Sequence, residues 1–237
     1  MPGTTASRIP AATAHTHTRH HASVLADAER RVLVWLAMRL PPRVTSDGLT
    51  YLGAAGMAGA GCALAAASHS RAWLALVPVF LALNWFGDSL DGTLARVRNT
   101  QRPRYGYYLD HVVDLANTLV LFVGLAVSGI ASPLVAAGLL VAYLLLAAES
   151  FLATHALGVF RISFAGFGPT DLRILLSMGA IAAIEHPIVT PFGLGEIWLW
   201  DLGGLCGILG MMAVFAMNAV RNARALATAD PLPGGRS

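Results

Sequence analysis

Four aspartates are spaced so that they can act on a single charge. Asp88 and Asp91 stand three residues apart, and Asp110 and Asp114 stand four apart. Each pair lies on one face if its segment is helical. The first pair closes one apolar stretch and the second pair opens the next, with a short polar connection between them. Two helices joined in this way can bring the pairs face to face. A carboxylate at membrane depth costs about 3 kcal/mol even on insertion scales, and Arg96 alone cannot balance four. Two divalent cations match the charge, and hard carboxylate oxygens suit Mg²⁺ or Mn²⁺ over Zn²⁺. A two-metal carboxylate site is a natural device for displacement at phosphorus. A lone intramembrane Asp more often serves an ion pathway or a buried salt bridge, but two facing pairs point to a metal centre.

The residues around the pairs are small. Gly92 and Ala95 follow the first pair, and Gly106 precedes the second. A bulky side chain at Gly92 or Ala95 would block a ligand pressed against the helix. Gly106 either leaves the same room or permits a close helix crossing. Arg161 and Arg173 fall near the ends of the fourth and fifth apolar stretches. They are suited to an anionic acceptor or a lipid phosphate, and equally to anchoring the chain at the membrane surface. Glu149 and His155 interrupt the fourth stretch, where ionisable groups mark a cavity or a pairing. Glu149 reads as part of an acceptor pocket, and His155 as part of it or as a headgroup-level residue. Asn117 shares a face with Asp114 and either orients it or packs in the core. Asp171 suits the first turn of a helix.

The elements that must position these residues are membrane helices. Of 237 residues, 56% are hydrophobic and only 12% are charged, and the mean hydropathy is +0.62. A soluble domain carries about twice that charged share. All 16 basic residues are Arg, and they lie between apolar stretches, so they form no single basic face of the kind nucleic acids need. Cys62 and Cys206 fall within apolar stretches and read as small buried residues, with no metal-ligand spacing.

Residues 22–40 alternate apolar and charged positions at helical spacing. Val24, Leu25, Ala28, Val32, Trp35, Leu36 and Met38 oppose Asp27, Glu29, Arg30, Arg31 and Arg39. This predicts an amphipathic helix lying on the membrane surface, ended by Pro41 and Pro42. Asp47 is placed to cap the helix that follows. Six spans of the length a bilayer requires are predicted at 49–67, 72–95, 106–128, 133–156, 170–187 and 197–220, with Pro78 kinking the second. The glycines at 53, 56, 59 and 61 and at 203, 204, 207 and 210 predict close helix packing, with a homodimer seam as a further use.

Arg30, Arg31, Arg39, Arg43, Arg96, Arg98, Arg102, Arg104, Arg161, Arg173, Arg221 and Arg224 all fall on one side of this layout, against Arg71 on the other. The positive-inside rule therefore puts both termini and the acidic pairs on the cytoplasmic side. The expected fold class is all-α, a polytopic bundle of a bacterial inner membrane. Residues 22–225 form its membrane domain, between disordered tails at 1–21 and 226–237.

The stretch from Asp88 to Asp114 resembles the signature of the CDP-alcohol phosphotransferase family, D-x-x-D-G-x-x-A-R, a short gap, then G-x-x-x-D-x-x-x-D. Asp88, Asp91, Gly92, Ala95, Arg96, Gly106, Asp110 and Asp114 fill every fixed position. The segment Thr45-Ser46-Asp47-Gly48-Leu49-Thr50 resembles the family's entry to its first span, with Ser-Asp where Pro-Asn is common. An interfacial helix followed by six spans also fits the family.

The resemblance implies a di-metal centre of Mg²⁺ or Mn²⁺ held by Asp88, Asp91, Asp110 and Asp114. The metals grip the diphosphate of a CDP-alcohol. Gly92, Ala95 and Gly106 make room for the CDP group, and Arg96 contacts phosphate. An acceptor alcohol attacks the phosphorus bearing the donor's alcohol, Asp114 takes its proton, and CMP leaves. The donor is either CDP-diacylglycerol or a CDP-linked head group. His111, directly after Asp110, is shared with choline and ethanolamine phosphotransferases and with other relatives, and does not name the substrate. The inositol-phosphate branch carries basic residues in the fourth span. Leu146-Ala147-Ala148-Glu149-Ser150 has none, which disfavours that acceptor. A divalent-cation transporter is the other reading of an intramembrane acidic cluster, but it needs polar residues continuing across the membrane, and the far halves of these spans are almost wholly apolar.

Overall fold

Helices make up most of the described residues of this computed structural model, which are 24–157, 169–193 and 195–230. Arg161 and the expected N-terminal tail lie outside them. The chain runs α1 (Val24–Arg39), α2 (Ser46–Ala66), a 3₁₀ turn (Arg71–Leu76), α3 (Val77–Val97), α4 (Pro103–Ala126), α5 (Pro133–Leu157), α6 (Pro169–Glu185) and α7 (Leu199–Ala229). Between α6 and α7 lies a two-residue antiparallel ribbon pairing Ile188–Val189 with Ile197–Trp198.

Among the described residues, five helical segments are long and apolar enough to cross a membrane: Ser46–Ala66, Arg71–Val97, Pro103–Ala126, Pro133–Leu157 and Leu199–Ala229. The fifth predicted span, 170–187, is α6, which has 17 residues and is not among the five. Helix α7 runs on to Ala229, past the expected domain end at residue 225.

Several local expectations are corrected. Thr45, not Asp47, is the N-cap of α2: its hydroxyl accepts the Gly48 N–H at 3.1 Å. Asp47 sits in the first turn and pairs with Arg102 at 2.5 Å. Pro78 stands at the junction of two helical pieces rather than inside one. The chain enters through the 3₁₀ turn, capped by Ser70, and α3 starts at Val77, so Pro78 falls in the first turn, where its missing N–H costs nothing. Cys62 and Cys206 are free and point out of the bundle.

Helix α1 meets the bundle through a side that the sequence reading did not assign. Leu33 and Ala37 are buried and, with Leu36 and Leu40, pack against Leu90 and Leu94 of α3 and Leu49 of α2. Val32, Trp35 and Met38 turn outward, and Arg39 stacks on Trp35 at 3.9 Å.

Two apolar clusters lie at opposite ends of the bundle. One joins Leu64 of α2, Leu74 and Leu81 around the start of α3, and Leu121 and Leu125 of α4, with Ala180 and Ala183 of α6. The smaller one is the α1 contact just described. The acidic residues lie towards the α1 end, where α3 finishes and α4 begins. Asn99, at φ 54°, takes the left-handed conformation that Asn tolerates and turns the chain between these helices. Arg98 clamps the turn by donating to the carbonyls of Leu40 at 2.9 Å and Pro41 at 3.0 Å, and to that of Val44.

The glycines of α2 let three backbones approach. Gly53 meets α3 at Gly87, Gly56 meets it at Asn84, and Gly61 meets α4 at Val120 and Gly124. On α7, Gly204 and Gly207 pack on Val135 and Leu139 of α5, whereas Gly203 and Gly210 have no neighbour within 4 Å of where a Cβ would stand. The small-residue pattern therefore marks packing along all of α2 but only part of α7.

Candidate active site

Asn84, Asp88 and Asp91 fall at i, i+4 and i+7 on α3, so one face carries all three. Asp110 and Asp114 stand one turn apart near the start of α4. The structure brings Asp88, Asp110 and Asp114 together: each offers a carboxylate oxygen, and these oxygens lie within 4.8 Å of one another. Ligands on opposite sides of an ion with bonds of about 2.1 Å stand roughly 4.2 Å apart. Three hard anionic oxygens at this spacing fit a divalent cation after a small inward adjustment.

Asp91 is adjacent but engaged differently. The Thr50 hydroxyl donates to its Oδ2 at 2.6 Å, and the Gly92 N–H donates to its Oδ1. Ser46 donates to its backbone carbonyl at 2.9 Å. Two polar residues one turn apart on α2 thus fix Asp91 from the neighbouring helix. Asp91 and Asp114 nevertheless lie within electrostatic reach of the other carboxylates.

Asp88 has a cationic partner. Arg173, in the second turn of α6, donates from its terminal nitrogen to Asp88 Oδ2 at 2.5 Å and from Nε to Asn84 Oδ1 at 2.7 Å. Asn84, only 3% exposed, donates in turn to the Gly53 carbonyl at 2.9 Å. Sequence reading singled out Arg173 but not these contacts, and it missed Thr50, Ser46 and Asn84 as supports. The signal was present: Asn84 precedes Asp88 by one helical turn, and Ser46 precedes Thr50 by one.

The small residues divide into two kinds. A Cβ added at Gly92 would meet only the Arg96 guanidinium, at 3.6 Å, and one at Gly106 would meet nothing within 4 Å. Among the described residues both positions are open, and Gly106 stands at no helix crossing. Ala95 is buried. Arg96 is exposed and donates to the Thr93 hydroxyl at 3.0 Å.

On α5, Glu149 accepts from Asn222 of α7 at 2.7 Å, tying those helices together. His155 is exposed, and Asn117 is buried. His111 lies against Tyr107 at 4.2 Å and edge-on to Phe151 of α5 at 5.1 Å. Its Nδ1 is 2.7 Å from the Tyr107 carbonyl. Outside the spans, Asp47 raises the already high pKa of Arg102, chiefly through their hydrogen bond.

Two solved structures share this fold. The crystal structure of Mycobacterium tuberculosis phosphatidylinositol phosphate synthase (PgsA1) with CDP-DAG bound is 20% identical, with a TM-score of 0.57, over 87% of this chain and 98% of that one. The same synthase in complex with manganese and citrate is also 20% identical, with a TM-score of 0.52, over 88% of this chain and 91% of that one. No curated protein sequence matches the chain. Residues 43–218 match the family model for CDP-alcohol phosphatidyltransferase. That match takes in all four aspartates and every helix from α2 to most of α7, so the chain belongs to the CDP-alcohol phosphatidyltransferase family, enzymes of phospholipid synthesis that transfer a substituted phosphate from a CDP-alcohol.

Proposed function

We propose that Asp88, Asp91, Asp110 and Asp114 form the centre at which an acceptor hydroxyl attacks the phosphorus bearing the donor's alcohol. The new P–O bond forms as the bond to CMP breaks. The hydroxyl proton passes to a carboxylate oxygen of Asp114, and CMP leaves with the bonding electron pair. The observation that carries this reading is the convergence of three carboxylates from two helices within 4.8 Å. Two divalent ions, Mg²⁺ or Mn²⁺, would match four carboxylates and neutralise the diphosphate and the leaving phosphate when bound. In this reading Asp91 is the fourth ligand, aimed by Thr50 and the Gly92 N–H. Arg96, whose guanidinium overhangs Gly92, contacts donor phosphate.

The openings at Gly92 and Gly106 support their role as the CDP-facing surface. Gly92→Ala and Gly106→Ala have room for the added Cβ in the free protein, so thermal unfolding is expected to change little. Against a bound CDP group the added atoms clash, and such overpacking costs about 1–3 kcal/mol. The KM for the CDP-alcohol should therefore rise roughly tenfold or more. An unchanged KM in both variants would remove these two glycines from the binding surface.

The membrane arrangement follows the same reading. With α6 as a sixth span, α2 to α7 alternate across the bilayer, and α1 rests on the surface through Val32, Trp35 and Met38, flanked by Arg31 and Arg39. The arginine distribution supports a cytoplasmic active site. The neighbour holding CDP-DAG supports CDP-diacylglycerol as donor, whereas the lack of basic residues at 146–150 favours an acceptor other than inositol phosphate.

A panel of CDP-diacylglycerol, CDP-choline and CDP-ethanolamine, each with glycerol phosphate, serine, inositol phosphate or diacylglycerol, tests the reaction by CMP production. CMP should appear only with a matched pair, fall to background in EDTA and return with Mn²⁺ or Mg²⁺. Persistent release in EDTA would rule out the metal centre.

A further inference from the structure

We propose that Arg173 is a resident counter-cation of the acidic centre, aimed by Asn84, that sets how tightly the centre holds a divalent ion. The inference rests on the metal-centre reading above and adds a residue from a third helix to it. The Arg173 side chain is only 13% exposed, and it binds Asn84 and Asp88, both residues of the site. Nε–H meets Asn84 Oδ1 at 2.7 Å, and a terminal N–H meets Asp88 Oδ2 at 2.5 Å. Asn84 is suited to this task because it has an acceptor for Arg173 and a donor for the Gly53 carbonyl. Its amide is therefore locked from α2 and cannot turn its donor end towards the guanidinium. An Asp at this position would set an acceptor against that carbonyl, and a Leu would offer neither bond.

The consequence is electrostatic. A guanidinium keeps its charge at any pH the protein survives. Held on Asp88 Oδ2, it neutralises part of a carboxylate that would otherwise serve a metal alone, and it repels an incoming dication across a few ångströms of low-dielectric interior. The site thus avoids four uncompensated carboxylates when metal is absent, and it binds metal more weakly than the carboxylates alone would. The two bonds require a planar fork. A lysine could supply the charge but could not reach Asn84 and Asp88 with the same geometry.

The test is a Mn²⁺ titration of the purified full chain in detergent, with free Mn²⁺ read by electron paramagnetic resonance. Arg173→Gln should tighten Mn²⁺ binding by about tenfold or more, since a unit charge this close is worth at least that factor. Arg173→Lys, which keeps the charge, should stay within about threefold of the wild type. Unchanged or weaker binding in Arg173→Gln would overturn the proposal, as would equal tightening in Arg173→Lys. Should Arg173→Gln fail to purify as folded protein, Asn84→Leu replaces it. Freeing the guanidinium should then tighten binding by a smaller factor, and no tightening counts against the proposal. If the wild-type chain binds no Mn²⁺, the metal-centre reading fails and this inference with it. Wild-type binding with no response to Arg173→Gln overturns this inference alone.

Discussion

Replacing Asp114 with Asn should lower CMP release about 10³-fold or more while leaving the protein folded. Asp114 stands in two roles: it is one of three residues whose carboxylate oxygens converge within 4.8 Å, and it is the proposed proton acceptor. The amide keeps the shape of the carboxylate, so the packing of α4 on α2 and α5 is preserved. It cannot accept the hydroxyl proton, and it is a poorer ligand for a hard cation. Removing one of several like charges should also relieve repulsion in the ion-free protein, so the unfolding temperature should stay level or rise. CMP production and thermal unfolding of the same detergent preparation separate lost chemistry from lost structure. Turnover within tenfold of the wild type would take Asp114 out of the proton-transfer role.

The helices were legible because their lengths are set by the bilayer. The stretches at 49–67, 106–128 and 133–156 became Ser46–Ala66, Pro103–Ala126 and Pro133–Leu157. The pairing of the aspartates was legible because i, i+3 and i, i+4 spacing fixes a helical face. What was less legible is which way an apolar side chain points. In water a buried face contrasts with a polar one, but in a membrane both the packed and the lipid-facing sides are apolar. That is why Cys62 and Cys206 were misplaced, and why the bundle-facing side of α1, supplied by Leu33 and Ala37, was not assigned from sequence. The supports of the site were hidden for a different reason. Thr50 lies 41 residues from Asp91, and Arg173 lies 85 from Asp88, so each contact depends on how separate helices dock.

That docking depends on glycine, and Gly87→Ala is expected to break it. A Cβ at Gly87 would stand 2.5 Å from the Leu49 carbonyl oxygen and collide with the Gly53 N–H. Both obstacles are backbone, so no side chain can rotate away and α2 and α3 must separate. Overpacking of this kind costs about 1–3 kcal/mol, which for a chain of this size lowers Tm by roughly 3–10 °C. The site should suffer as well. Leu49 and Gly53 flank Thr50, which holds Asp91, and Gly53 holds Asn84, which aims Arg173. Parting the helices therefore loosens the supports of Asp88 and Asp91 together, and CMP release should fall by more than the loss of folded protein explains. Gly203→Ala supplies the contrast. Among the described residues no neighbour lies within 4 Å of its added methyl group, and replacing Gly with Ala inside a helix is favourable by about 1 kcal/mol. Its Tm should hold or rise, with activity unchanged. If Gly87→Ala were as stable and as active as Gly203→Ala, close contact between α2 and α3 could not be what positions the aspartates.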